Sequence, residues 1–339
     1  MGTLRGFPNP PAMGLRRRSR LRPDAISALM RTTHTLDSAA SRTGAAAFAR
    51  DILQLSKPRI TGLVIFTFGG GLLLAPGAVD AGRALIALLG TTLIVAAANA
   101  LNMYLERDRD GLMRRTARRP LPEGRLAPFV ALSLGAMLAS AAIPMLLVGG
   151  GFLLAALGLF AFYAYVWGYT PLKRRSSLAL YVGAVPGALP PLMGWATVTG
   201  QADAPALALF AVMFVWQIPH FVAIAIFRAE DYAGAGFRVL SLAREPVLTR
   251  MTIVVSTVLL VPVSLLLPLL GVAGPLYLVA ALVLGVAFVV IAARGLRHHA
   301  RDDEGTRRAQ VWAKSLFLYS LLYLVALFGT LALDRALLS

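Results

Sequence analysis

Charged residues are confined to short segments of the chain, and long uncharged runs separate those segments. About 20 residues carry a helix across the hydrocarbon of a bilayer, so each run can be compared with one spanning helix. Five runs have the length of a single helix, and two are roughly twice as long. The runs are residues 60–79, 84–105, 126–172, 176–202, 204–227, 251–293 and 315–333.

Both long runs contain a glycine-rich break. The first holds glycines at 149–151, and the second passes from Gly271 to Pro275. Splitting the runs there gives nine helices. Barrel strands would instead show alternating polarity over about ten residues, a pattern that the runs lack. The sequence therefore predicts an all-α integral membrane protein with nine transmembrane helices.

Composition agrees with a membrane protein, and charge predicts its orientation. Hydrophobic residues make up 58% of the 339, and the mean hydropathy is +0.71. Lys and Arg outnumber Asp and Glu 33 to 16. With the N-terminus in the cytoplasm, 31 of the 33 basic residues lie inside, and Arg83 and Arg335 remain outside. We therefore expect a cytoplasmic N-terminus and an external C-terminus.

The first 50 residues form a basic segment without an apolar run. They contain nine arginines, and Asp24 and Asp37 are their acids. We expect residues 1–50 to be a disordered extension and residues 51–339 to form the membrane domain. The bacterial inner membrane is the expected location. The mitochondrial inner membrane is the alternative, because transit peptides share this composition. The basic block at 16–22 lacks interleaved aromatic residues, so we expect no nucleic-acid partner.

An acidic cluster closes the second predicted helix. Asn102, Glu106 and Asp110 are spaced four residues apart and therefore share one helix face. Asp108 lies about 160° from Asp110 and should point elsewhere. Carboxylate and amide oxygens stacked one turn apart suit a hard cation such as Mg²⁺. The alternative is a charged helix end that extends to the membrane surface.

Arginines follow directly on these acids. Arg115 and Arg119 belong to a segment of four arginines at 114–119. Guanidinium groups bind phosphate oxygens in a fork, so beside a divalent cation they form a candidate diphosphate clamp. Positive charge on the inner side of the membrane is also expected for topology alone. That alternative explains each arginine, but not why they follow the acids.

Two further groups close other helices. Tyr169, Lys173 and Arg174 end the fourth predicted helix, where Pro171 makes a shared face for the tyrosine and lysine uncertain. A second acidic cluster closes the sixth helix with Arg228, Glu230, Asp231 and Tyr232. Both acidic clusters therefore face the same side of the membrane. An internal duplication would produce this arrangement, although the similarity of the two halves is weak.

His220 follows Pro219 inside the sixth span, where an ionisable residue is a candidate for function. The imidazole could ligate a metal such as haem iron or hydrogen bond a substrate. Alternatively it binds a backbone carbonyl that Pro219 frees.

These motifs resemble the UbiA superfamily of intramembrane prenyltransferases, and in particular its haem branch. The resemblance covers about residues 50–335 and rests first on the Asn102, Glu106 and Asp110 spacing followed by Arg115 and Arg119. It also includes segments 56–59, 169–175, 187–195, 216–221 and 228–236. The second Asp-x3-Asp motif of the superfamily is not present as such. His220 with Glu230 and Asp231 occupies that region, as in the haem branch.

The resemblance implies a UbiA-like helix bundle and transfer of a farnesyl group from farnesyl diphosphate to a vinyl group of protoheme IX (haem B), which gives haem O. It implies Mg²⁺ as cofactor, haem B as substrate, and a haem A synthase as a downstream partner. We assign catalytic roles to Asn102, Glu106, Asp110, Lys173 and Asp231. All of these except Lys173 are also expected to be metal ligands. The expected substrate-binding residues are Arg115, Arg119, Tyr169, Arg174, His220, Arg228, Glu230 and Tyr232.

Two alternatives remain at this stage. A prenyltransferase could act on a quinone precursor or a chlorophyll-type acceptor instead, but His220 and the acidic pair that follows it argue against this. A secondary transporter would also have many spans and a repeat. A transporter places charges near the middle of the bilayer, whereas every acid in this chain falls at or beyond a predicted helix end.

Overall fold

The fold was analysed in a computed structural model that describes residues 44–229, 246–297 and 303–338. The described residues fall into two units that divide after Arg50. Of the first unit only residues 44–50 are described, and they are helical. The account below concerns the second unit, in which residues 51–55 are helical and precede the first long helix.

Helices joined by turns make up the described residues of this unit, without strands. The helices are α1 Pro58–Leu74, α2 Ala81–Asp110, α3 Pro128–Tyr163, α4 Thr170–Leu172, α5 Ala179–Thr199, α6 Ala204–Phe227, α7 Pro246–Leu269, α8 Pro275–Arg294 and α9 Asp303–Leu338. A π-helical segment, Ala164–Tyr169, joins α3 to α4. Side-chain caps begin two helices, because Asp80 accepts from the backbone N–H of Arg83 and Asp203 from that of Ala206.

Both predicted breaks in the long runs are confirmed. Gly151 has φ 76° and ψ −168°, a conformation that favours glycine and that bends α3 in its middle. The second run ends one helix at Leu269 and begins the next at Pro275. When α3 is counted as two segments around its kink, the described residues therefore contain every helix that the runs predicted.

The spanning character of these helices is confirmed only in part. Six helical stretches among the described residues are long and apolar enough to cross a membrane. They are Ala81–Asp110, Pro128–Leu172, Ala204–Phe227, Val247–Leu269, Pro275–Arg294 and Glu304–Leu337. Pro58–Leu74 is apolar but has only 17 residues. The chain is thus an integral membrane protein with several apolar helices, and nine spans remain a prediction.

Glycines allow α1 and α5 to cross at close range. A methyl group on Gly71 would overlap the carbonyl oxygen of Pro191, and one on Gly194 would overlap that of Phe68. Small residues let helix backbones approach where lipid supplies no hydrophobic force between helices. The crossing fixes α1, and α1 carries Lys57 at its N-terminal end.

Candidate active site

The three oxygen-bearing residues predicted to share a face of α2 do so. The helix continues without interruption to Asp110, and Asn102, Glu106 and Asp110 are 1%, 4% and 1% exposed. Asp108 points away with a side chain 85% exposed, 3.6 Å from Arg107. Helical spacing alone therefore separated the buried acids from the solvated one.

Lysine and amide groups meet at the Asn102 end of this face. Lys57 donates from Nζ to Asn102 Oδ1 at 2.6 Å, and Asn102 Nδ2 donates to Thr170 Oγ1 at 3.0 Å. The amide is thereby oriented with its oxygen toward the lysine. Because Lys57 precedes α1 and Thr170 begins α4, this one side chain joins three elements.

Each carboxylate on the face is paired with a cation from another element. Lys173 Nζ lies 2.9 Å from Glu106 Oε1. Arg119 Nη1 lies 2.6 Å from Asp110 Oδ2. Both carboxylates are buried, and burial of a charge is tolerated when a partner of opposite sign compensates it. The pairs therefore connect the face of α2 to the loop that follows it and to the residues that follow α4.

The two lysines outside the apolar helices have opposite pKa shifts. Burial lowers the pKa of Lys57 to about 7, and the nearby Arg119 guanidinium adds to this effect. Burial also opposes the charge on Lys173, but Tyr169 and the Glu106 carboxylate outweigh it and hold its pKa well above the usual value. The surroundings therefore favour the charged form of Lys173, whereas burial disfavours the charged form of Lys57.

A cavity of about 220 Å³ opens beside these groups. Its lining combines polar and apolar side chains, called here the polar wall and the apolar wall, as expected for a ligand with an anionic head and a hydrocarbon tail. The polar wall consists of Lys57, Asn102, Glu106, Asp110, Arg115, Arg119, Tyr165, Tyr169 and Lys173. The apolar wall consists of Ile60, Met113, Leu180, Phe221, Ile224 and Ala225.

The structure brings most of the predicted residues together, but not all. Tyr169 and Lys173 share the cavity despite Pro171, with the ammonium 4.7 Å from the ring centroid. Arg174 does not line the cavity and donates to the carbonyl of Leu105 instead. Its assignment to substrate binding therefore lacks support from this geometry.

The end of α6 is described only up to residue 229. Arg228 follows the helix, and its guanidinium lies 5.6 Å from the Phe227 ring centroid. Glu230, Asp231 and Tyr232 lie outside the described residues, so their roles remain predictions.

His220 is buried beside the cavity and does not line it. Its Nδ1 lies 2.7 Å from Ser320 Oγ, and its ring stacks on Trp216. Ile224, one helical turn further along α6, belongs to the apolar wall. His220 thus lies about one turn, or roughly 6 Å along the helix axis, from Ile224, and the adjacent Phe221 also belongs to the apolar wall.

Sequence reasoning left Lys57 without a role, although the segment 56–59 entered the resemblance. Lys57 is the one non-glycine residue with a positive φ, 50°, in the described part of the chain. Such strain costs of order 1 kcal/mol or more and persists where surrounding contacts hold it. The sequence did contain a signal for Lys57. It directly precedes a proline that begins a helix, at the inner end of a predicted span.

The side chains around Asp110 suit a hard cation. Asp110 Oδ1 is buried and has no hydrogen-bond partner among the described residues, which is unusual for a carboxylate oxygen. No cluster of three or more His, Cys, Asp or Glu side chains that could hold a metal occurs in the same described ranges. Asn102, Glu106 and Asp110 could therefore supply only part of a coordination shell, and oxygens of a bound anion would complete it.

Fold and site define an all-helical integral membrane protein with a cavity that charged and apolar side chains line together. The model of the UbiA prenyltransferase family matches residues 63–321, and the chain belongs to this family. Proteins named Protoheme IX farnesyltransferase from Anaeromyxobacter dehalogenans (strain 2CP-C) and Myxococcus xanthus (strain DK1622) are each 49% identical to it. Each alignment covers 85% of this chain and 95% of the relative.

Solved structures confirm the UbiA-like fold at low identity. A structure of digeranylgeranylglyceryl phosphate synthase superposes with a TM-score of 0.70 at 14% identity, covering 85% of this chain and 98% of that one. A UbiA homolog from Archaeoglobus fulgidus, bound to GPP and Mg²⁺, gives a TM-score of 0.56 at 14% identity. That comparison covers 80% of this chain and 99% of the homolog.

Proposed function

We propose that this protein transfers the farnesyl group of farnesyl diphosphate to a vinyl group of protoheme IX, giving haem O and diphosphate. The observation that carries the proposal is the cavity, in which buried acids, lysines and arginines face an apolar wall. The names of the relatives, each about half identical to this chain, support the acceptor and the donor.

The polar wall of the cavity supplies the groups that cleavage of the allylic diphosphate needs. Arg115, Arg119 and Lys57 offer donors to the phosphate oxygens, and Lys173 holds Glu106 in place. Mg²⁺, when bound at Asn102, Glu106 and Asp110, supplies positive charge to the departing diphosphate. Groups that are already oriented stabilise the leaving charge without reorganising in the transition state. No side chain needs to act as a nucleophile.

The apolar wall accounts for the fate of the farnesyl cation. Leu180, Phe221 and Ile224 line the cavity and present no nucleophile to an allylic cation. Exclusion of water protects a reactive intermediate until the acceptor captures it. The vinyl carbon of the haem forms the new bond to farnesyl, water then adds to the neighbouring cationic carbon, and a proton leaves.

We extend the proposal to the parts of the site and topology that stand as predictions. Asp231 completes the cation site from the second acidic cluster, with Glu230, Tyr232 and Arg228 at the substrates. The protein spans the bacterial inner membrane nine times with its N-terminus inside, and a haem A synthase receives its product. The similarity to a homolog that binds GPP and Mg²⁺ supports the cofactor.

A direct assay tests the proposal. Purified protein in lipid nanodiscs is supplied with farnesyl diphosphate, Mg²⁺ and haem B, and the products are read by mass spectrometry. Haem O is the expected product. Formation of a prenylated quinone precursor from a matched acceptor, without haem O, would overturn the choice of acceptor. Uptake of either compound into vesicles without a new bond would support a transporter instead.

Replacing Lys57 by Met is expected to raise KM for farnesyl diphosphate by about tenfold to a hundredfold, the usual worth of a hydrogen bond to a charged group. The lysine lines the polar wall, where its ammonium group can donate a hydrogen bond to a phosphate oxygen. The matched control is Arg59→Met, which removes the same charge two residues away at an exposed position outside the cavity. Equal effects of the two changes would contradict a role for Lys57 in the site.

Replacing His220 by Ala is expected to weaken haem B binding more than farnesyl diphosphate binding. His220 directly precedes Phe221 of the apolar wall, and within the described ranges it makes no hydrogen bond or ion pair with the charged groups. Separate titrations with the two substrates measure this difference. An equal loss for both substrates, or a loss confined to the diphosphate, would show that His220 does not serve the haem.

A further inference from the structure

Aromatic rings clamp the imidazole of His220. Trp216 stacks on one side with ring centroids 4.8 Å apart, and Phe317 of α9 lies at 4.8 Å as well. The ring of Phe221 approaches edge-on at 5.6 Å. Aromatic rings and a hydroxyl group thus contact His220 and hold its imidazole between α6 and α9.

Ser320 determines which ring nitrogen carries the proton. Its Oγ lies 2.7 Å from His220 Nδ1 and 2.6 Å from the carbonyl oxygen of Phe317. A carbonyl can only accept, so the single hydroxyl proton of Ser320 serves Phe317. Both hydrogen bonds form together only when Nδ1 donates to Ser320. The network therefore selects the neutral tautomer with hydrogen on Nδ1.

That tautomer leaves a lone pair on Nε2. Nε2 makes no hydrogen bond within the described ranges, and it is not among the buried side-chain atoms that lack a partner there, so part of its surface is open. The geometry thus leaves the lone pair of Nε2 open to a group outside the described residues.

We propose that Ser320 is a positioning residue that fixes His220 as the Nδ1–H tautomer, so that Nε2 is available as a ligand for the iron of the haem acceptor. This inference rests on the proposed function, in which haem B is the acceptor substrate. Neutral imidazole is a common ligand of iron, and ligating histidines typically donate their other ring N–H to a fixed acceptor. Ser320 is that acceptor.

The backbone hydrogen bond of Ser320 can be kept in variants that change its side-chain hydrogen bonds. Trp216 Nε1 donates to the carbonyl oxygen of Ser320 at 2.7 Å, which holds α6 against α9. Ser320→Ala keeps this bond and removes the partner of Nδ1. Ser320→Thr keeps a hydroxyl that can donate to the carbonyl of Phe317. Ser315→Ala is the matched control, because Ser315 lies on the same helix and is exposed.

The first test needs no haem. The chain has four histidines, and the ¹⁵N signals of His220 are assigned in nanodiscs by their loss in His220→Ala. In the wild type and in the Ser320→Thr and Ser315→Ala variants, the proton is expected on Nδ1. In Ser320→Ala the Nε2–H tautomer should become substantially populated. An unchanged tautomer in Ser320→Ala, or a wild type with hydrogen on Nε2, would overturn the inference.

The second test titrates each variant with haem B and follows its absorption and EPR spectra. The wild type should show histidine-ligated iron, and His220→Ala should lose that signature. Ser320→Ala should bind haem about tenfold to a hundredfold more weakly, as for other changes to the partner of a ligating histidine. Haem bound without histidine ligation would refute this inference alone. Absence of any haem binding would refute the proposed function, while the tautomer measurement would still decide the role of Ser320.

Discussion

Replacing Asp110 by Asn is expected to lower farnesyl transfer about a hundredfold or more, since preorganised groups that stabilise a leaving charge contribute on that scale. The carboxylate is 1% exposed, with Arg119 at one oxygen and no partner among the described residues at the other. An amide would lose the charge that a cation needs. Turnover with farnesyl diphosphate and haem B measures the loss, and size-exclusion profiles report whether the variant folds.

Asp108 provides the matched control two residues away. Its side chain is 85% exposed and faces Arg107, in an ion pair worth about 0–1 kcal/mol at such a surface. Asp108→Asn should therefore retain most activity, whereas Glu106→Gln should lose nearly as much as Asp110→Asn. Removal of divalent cations with EDTA should abolish turnover of the wild type. If Asp108→Asn were as inactive as Asp110→Asn, or if EDTA had no effect, the cation site would be wrong.

The acidic face of α2 could be predicted because it depends on one helix. Asn102, Glu106 and Asp110 need only 100° of rotation per residue and a helix that persists to its last acid. The breaks in the long runs were equally local, since Gly151 adopts a conformation that other residues avoid. Hydrophobic run lengths then fixed the number of helical segments. These features follow from the chain over one or two turns.

The partners of those acids could not be predicted in the same way. Lys173 is 67 residues from Glu106 in the sequence, and Lys57 is 45 residues from Asn102. Their meeting depends on how helices pack, which periodicity does not specify. Likewise the sequence marked His220 as unusual, but the hydroxyl that orients it lies 100 residues away on α9. The observed site therefore differs from the predicted one in the contacts that join residues far apart in the sequence.

The largest expected effect on folding comes from Gly71→Ala. A methyl group there would overlap the carbonyl oxygen of Pro191 on α5, and backbone atoms cannot rotate away as a side chain can. Overpacking of this kind should destabilise the protein by about 3 kcal/mol or more. Thermal unfolding of the detergent-solubilised protein, followed by fluorescence-detected size exclusion, measures the change. The control is Gly69→Ala on the same helix, where a methyl group meets nothing within 4 Å.

The same crossing of α1 and α5 allows a test of whether the two glycines are coupled and whether their packing positions Lys57. Gly194→Ala on α5 would overlap the carbonyl oxygen of Phe68 on α1, so one separation of the two helices relieves both overlaps. The double variant should therefore lose less stability than the sum of the single losses, as expected for coupled neighbours.

Displacement of α1 would also move Lys57, which precedes it, away from Asn102. The folded fraction of either single variant should consequently bind farnesyl diphosphate more weakly than Gly69→Ala. Additive losses of stability with unaltered binding would show that this crossing neither couples the two glycines nor sets the position of Lys57.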